Sequence, residues 1–317
     1  MKKFLLNSTL FSCFASIIYI ASLLIVGKLA PTYLKPNLPA GFERRNGFSY
    51  TRYREAESTT QKDVLFLGSS HAYRGYDPRI FEKAGFSSFN LGSSSQTPVQ
   101  TLFLLRKYID RFQPKLVVLD IYPVLLNSDG VESTLDLMTN APIDFSWMRL
   151  ALTVNDIRVY NTFVFSLFKK LLSEEIQEQS RYDGVDTYVE GGYVETFKVI
   201  TLPYNSLKAN KYQLNENQYE ALLGIKRELT VRSIPFRIFQ APVLPGRYAK
   251  ATNVEHIDSL MAGLDTNYIN FNKHVLWSDS LFADDSHLNQ YGVDVYNKQI
   301  LQLLPAHNAI DNIISKK

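Results

Sequence analysis

The chain has 317 residues, of which 45% are hydrophobic and 21% charged, enough for one large globular domain with additions. Its net charge is +3, and the basic residues are spread along the chain instead of gathered in a stripe, which argues against a nucleic-acid partner. The single cysteine, Cys13, lies in an apolar run, so neither a disulfide nor a cysteine-based metal site can be built from it.

The chain opens with Met1-Lys2-Lys3 and then runs from Phe4 to Val26 without a charged residue. As a helix this run spans about 34 Å, enough to cross a bilayer core. It is longer than the apolar region of a cleaved signal, and Gly27-Lys28-Leu29-Ala30-Pro31 is a poor cleavage site, so an uncleaved transmembrane anchor over 4–26 is expected. Lys2 and Lys3 favour a cytoplasmic N-terminus, which would put the rest of the chain on the extracytoplasmic side. Residues 27–60 read as a linker, because Pro31, Pro36 and Pro39 break helices and the stretch from Arg52 to Lys62 is polar.

The pattern then changes. Val64–Leu67 is a short apolar run ended by Gly68-Ser69-Ser70, Ser87–Leu91 a second ended by Gly92, and Lys115–Ile121 the clearest buried strand. Further strands are expected at Phe236–Ala241 and Tyr268–Phe271. Helices are expected at Gln96–Arg111, Glu216–Val231, His256–Leu264 and Leu288–Leu304. Near-continuous apolar strands alternating with helices predict an α/β domain over 61–305, a three-layer parallel sheet with helices on both faces. The segment 125–214 breaks the alternation and reads either as a cap over the binding crevice or as a lobe extending the core. Residues 306–317 form a C-terminal tail.

In a parallel sheet of this kind ligands bind at the carboxyl ends of the strands, which is where Ser70 falls. Gly68 permits a tight turn there, and the following N–H groups would face an anion. A serine needs a base to act as a nucleophile at neutral pH. Far down the chain, Asp284-Asp285-Ser286-His287 offers one: a carboxylate three residues before a histidine can hold its Nδ1 proton and leave Nε2 free. Ser70, His287 and Asp284 are therefore the candidate catalytic set. Ser69, His71, Asp120 and Tyr122 are candidate substrate contacts; a metal ligand is a further reading of His71, and an exposed turn residue and a solvated strand end are the plainer readings of His71 and Asp120. Tyr73 and Tyr76 are expected nearby. Two weaker readings are a nucleophile among Ser93-Ser94-Ser95 and a metal held by Asp284, Asp285 and His287. No metal and no other cofactor is expected. The echo of a Gly-x-Ser-x-Gly elbow in Gly68-x-Ser70-x-Ala72 is disfavoured, since that elbow comes mid-sheet with its acid and histidine well apart.

These residues resemble the SGNH (GDSL-type) hydrolase superfamily over roughly 62–305. Leu67-Gly68-Ser69-Ser70 is similar to its first block, with Ser69 where Asp is usual. Asn90-Leu91-Gly92 is similar to the second and Asp284-x-x-His287 matches the last. The resemblance implies a flavodoxin-like sheet, Ser70 as nucleophile, and an oxyanion hole from the N–H groups of Ser70 and Gly92. The third block, Gly-x-Asn-Asp, is missing after Asp120-Ile121-Tyr122-Pro123, which leaves two donors or a substitute from Tyr122 or Asn127. The layout also resembles membrane-anchored relatives that modify cell-envelope polymers. It implies an esterase or O-acyltransferase on an acyl ester of an envelope carbohydrate or lipid, with a membrane-bound acyltransferase as partner. A non-catalytic assembly protein on a degenerate fold is the alternative.

Overall fold

The computed structural model describes residues 1–29, 47–172, 180–201, 207, 209–274 and 276–304. The expected tail 306–317 and most of the early linker lie outside them. In chain order the elements are α1 (Lys2–Leu29), α2 (Ser49–Ser58), β1 (Val64–Leu67), α3 (Ser70–Gly75), α4 (Pro78–Lys83), β2 (Ser88–Asn90), α5 (Pro98–Phe112) and β3 (Leu116–Asp120). There follow α6 (Val131–Asn140), α7 (Trp147–Val154), α8 (Ile157–Leu171), the hairpin β4 (Asp186–Val189) and β5 (Tyr193–Thr196), β6 (Asn210–Lys211), α9 (Glu216–Val231) and β7 (Phe236–Gln240). The chain closes with α10 (Pro245–Tyr248), β8 (Ala251–Thr252), α11 (Val254–Leu264), β9 (Ile269–Asn270), α12 (Phe271–His274) and α13 (Gln290–Leu303).

The main sheet is parallel throughout, in the order β2-β1-β3-β7-β9. Counted within the sheet this is 2-1-3-4-5, the doubly wound order of flavodoxin-like folds. Strand residues alternate between two cores. Leu65, Leu67, Val117, Leu119 and Ile238 face one side and pack with residues of α5, α9 and α11. Val64, Phe66, Leu116, Val118 and Phe239 face the other and pack with α4, α12 and α13. With both faces covered, no polar alternation survives in β1 or β3, and every residue of each is buried.

Two parts of the chain depart from the expectation. α1 continues through Leu29, and the supposed linker contains α2, whose Tyr53 and Ala56 are fully buried. Polar residues of α2 are engaged by the fold: Arg52 is buried, the half-buried Glu55 accepts from the Gly191 N–H and the Tyr188 hydroxyl, and the half-buried Glu57 accepts from the Tyr108 hydroxyl. Composition read these side chains as solvated, whereas their partners come from segments distant in sequence. Segment 125–214, in turn, divides. α6, α7 and α8 place Leu137, Trp147, Leu150, Val159 and Phe163 in the core cluster of β1 and β3, so this half extends the core. The β4–β5 hairpin instead lies along α3 and the end of β2, held by the Asn90 N–H to the Gly191 carbonyl and by Arg74–Asp186.

Candidate active site

β1 is followed by Gly68, whose φ of +146° and whose close approach to the Asp120 carbonyl exclude a side chain. The chain then turns into α3, with Ser69 as its N-cap accepting from the His71 N–H at 3.3 Å. Ser70 is thereby the first residue of the helix, at the carboxyl edge of the sheet. Gly92 follows β2 and sits against the same turn. A Cβ there would lie 2.7 Å from the Ser69 carbonyl oxygen and 3.1 Å from the Tyr73 nitrogen. The backbone N–H groups of Ser70 and Gly92 make no hydrogen bond among the described residues.

The Asp284–His287 turn is built by local bonds. Asp284 Oδ1 accepts from the backbone N–H of Ser286 and of His287, each at 2.8 Å, and the Ala283 N–H donates to the His287 carbonyl. Asn289 then caps α13 by accepting from the Gly292 N–H. Across the site His287 Nε2 lies 2.7 Å from Ser70 Oγ, and His287 Nδ1 lies 2.9 Å from Asp284 Oδ2. Burial alone would push the Asp284 carboxyl up. The hydrogen bond and charge of His287, with the two backbone N–H groups, outweigh that and hold it well below its ordinary 3.8. An ionised Asp284 sets the imidazole with its proton on Nδ1, leaving the Nε2 lone pair toward the serine hydroxyl.

The other singled-out residues sort differently. His71 is not an exposed turn residue: it is 4% exposed and stacks on Tyr122 at 4.0 Å between ring centroids, with the His287 ring 4.9 Å away. Burial first, and the neighbouring His287 second, depress its basicity far below 6.5, so it is neutral. Ser69 is buried and spends its hydroxyl on the cap and on His71 Nδ1 at 3.4 Å. Asp120 is no solvated strand end. It is buried beneath Gly68, accepts from the Tyr76 hydroxyl at 2.7 Å, and is pushed up to about 7 by desolvation. Tyr76 is likewise fully buried, bonded also to Tyr296, and makes no part of an open site. Asn127 is exposed, and its amide donates to Gln213. Ser94 contacts the Tyr73 hydroxyl and Ser93 contacts Gln96, neither of them a base. No group of three or more His, Cys, Asp or Glu side chains suited to a metal ion occurs among the described residues.

One member of the constellation carried no sequence signal. Arg247, on α10, donates through Nη2 to the Tyr122 hydroxyl at 2.8 Å and pairs through Nη1 with the Asp285 carboxylate. Together with the Leu244 N–H to the Asp285 carbonyl, it ties the histidine turn to the ends of β3 and β7. Nothing in the Leu244-Pro245-Gly246-Arg247 string marks that role, since its partners are set by the crossover connections.

The sequence matches no protein-family model and no curated protein. Among solved structures the chain is similar to a GDSL-like lipase from Bacteroides thetaiotaomicron VPI-5482, at 14% identity and a TM-score of 0.38, covering 80% of this chain and 98% of that one. It is also similar to a putative acylhydrolase from Bacteroides fragilis NCTC 9343, at 13% identity and a TM-score of 0.37, covering 90% and 97%. At this distance neither likeness says what the present chain does.

Proposed function

We propose that this protein is a serine esterase or O-acyltransferase acting on an ester of a cell-envelope carbohydrate or lipid, tethered to a membrane by α1. The observation that carries the reading is the line from Asp284 through His287 to Ser70, with contacts of 2.9 and 2.7 Å. In this reading Ser70 Oγ attacks the ester carbonyl carbon while His287 Nε2 takes its proton. The N–H groups of Ser70 and Gly92 receive the oxyanion. Collapse of the tetrahedral species breaks the bond to the leaving alcohol, which takes the proton back from His287 and leaves an acyl-Ser70. Water or a sugar hydroxyl, deprotonated by the same nitrogen, then releases the acyl group. Asn127 is exposed and its amide donates to Gln213, and with the two backbone donors alone a rate about 100- to 1000-fold below a three-donor site is expected. The membrane part of the reading draws on α1, which is long and apolar enough to cross a bilayer. Its Gly27 packs against the Phe165 ring and the Tyr19 hydroxyl donates to Asn161, contacts that tie the helix to the folded domain.

The test is labelling of the detergent-solubilised full chain with a fluorophosphonate probe, beside turnover of an aryl acetate. Labelling and turnover that vanish in Ser70→Ala are expected. No Ser70-dependent labelling would overturn the catalytic reading in favour of a binding or assembly role.

A further inference from the structure

We infer that the α7–α8 corner is a membrane-contact surface, which dips into the headgroup layer of the leaflet from which α1 emerges. The inference rests on α1 being a membrane anchor, and goes beyond it by assigning a second contact made by the folded domain. Its first support is an exposed apolar stripe. Phe145 is 81% exposed, Met148 40%, Leu152 62% and Ile157 61%. Met148 and Leu152 share one face of α7 and Phe145 lies in the turn that leads into it, while Trp147, Leu150 and Ala151 on the opposite face are buried in the core. Ile157 begins α8 directly afterwards. Scattered apolar residues on a surface need no explanation, but four within one helix-turn-helix corner do.

The second support is where α1 leaves the domain. Tyr19 bonds Asn161 and Gly27 packs on Phe165, so passing back along α1 toward its N-terminus also passes back along α8 toward Ile157. Ile157, Asn161 and Phe165 stand four apart, on one stripe of α8, and Ile157 continues that stripe beyond the last contact made to α1. The N-terminal end of α8 and the turn from α7 therefore face the side on which the span projects.

Length decides how near that side is. Residues 2–18 of α1 cover about 26 Å at 1.5 Å per residue, while a hydrocarbon core is about 30 Å thick. The free part of the helix alone is too short. The core therefore reaches to about the level of the Tyr19–Asn161 pair, and Ile157, one helical turn nearer the span, is seated at the headgroup–acyl boundary with Leu152 and Met148. A tyrosine at that depth suits the polar–apolar boundary. Arg149, exposed among these apolar residues and without an ion pair among the described residues, would sit at the level of anionic headgroups. A second copy of this chain would also cover an apolar stripe, but nothing would then place the stripe beside the emerging span.

The full chain is labelled with an environment-sensitive fluorophore at single cysteines and reconstituted into phosphatidylcholine–phosphatidylglycerol vesicles carrying either shallow nitroxide-labelled lipid, which reads the surface positions, or deep nitroxide-labelled lipid, which reads Cys13. The label sits at native Cys13, or at Leu152→Cys, Met148→Cys or Val231→Cys in a Cys13→Ser background. Val231, exposed at the far end of α9, is the aqueous control. Labels at 148 and 152 are expected to be quenched at least about twofold more than the label at 231, as for groups seated 5–10 Å into the interface. Quenching at Cys13 with 148 and 152 as unquenched as 231 would overturn the surface while leaving the anchor standing. Lipid-independent shielding at 152 that grows with protein density would overturn it in favour of a second copy. An unquenched Cys13 would remove the anchor, and the inference with it.

Discussion

At the residue scale, Ser70 owes its expected reactivity to a proton relay whose far end is a carboxylate. Asp284→Asn keeps the size but can donate to Nδ1, favouring the wrong tautomer at His287, and kcat on an aryl acetate is expected to fall roughly 10³- to 10⁴-fold. The same carboxyl bears on stability. Its folded pKa is depressed below 3.8, so the contribution is present above that value and is lost as pH falls through the folded pKa. The urea midpoint of the wild type relative to Asp284→Asn is therefore expected to be steady near neutrality and to narrow below about pH 4. Asp120 has the opposite sign. Burial raises it to about 7, so the folded state holds a proton that the unfolded chain releases near 3.8, and stability falls as pH rises between these values. Asp120→Asn removes the titration, and its urea midpoint is expected to lose less than that of the wild type over this interval.

At the scale of elements, the histidine turn is correct within itself but needs an external support. Asp284, Ser286 and His287 satisfy one another locally, whereas the orientation of the turn toward α3 depends on Arg247 bridging Asp285 and Tyr122. Removing that bridge leaves the three reacting residues intact and loosens their alignment, and small displacements cost about 100-fold when attack distances are near contact. Arg247→Ala is expected to lower kcat by roughly 10- to 100-fold with KM changed less, and Arg247→Lys to restore only part of it, because an ammonium cannot hold both partners in the guanidinium plane. Steady-state kinetics of the two variants would show it.

At the scale of the whole molecule, one buried cation joins three segments. Arg52 of α2 is fully buried and donates to the Gly192 carbonyl of the hairpin and to the Gly47 carbonyl, while its guanidinium lies 4.2 Å over the Tyr73 ring of α3. Arg52→Leu strands two carbonyls and removes the stacking, and a loss of about 3 kcal/mol in chemical denaturation is expected. α2, the hairpin and α3 thus stand or fall together, which links the stability of the region around Ser70 to a helix that composition assigned to a linker.

Much of the framework was legible in residue order. Val64–Leu67 and Leu116–Asp120 are apolar without alternation because both faces are covered, and such runs between helices imply a parallel sheet. Asp284-x-x-His287 was readable because its bonds close within four residues, and the Gly68 turn because only glycine tolerates that φ and that approach to Asp120. Tertiary structure alone decided the rest. It alone brings His287 to Ser70, buries His71 between Tyr122 and His287, sets Arg247 behind the turn, and draws α2 into the core. The physical reason is that a local hydrogen bond depends on neighbours in the chain. A bond between distant residues depends on which loops the crossover connections bring to the same edge of the sheet, and no short string of residues records that.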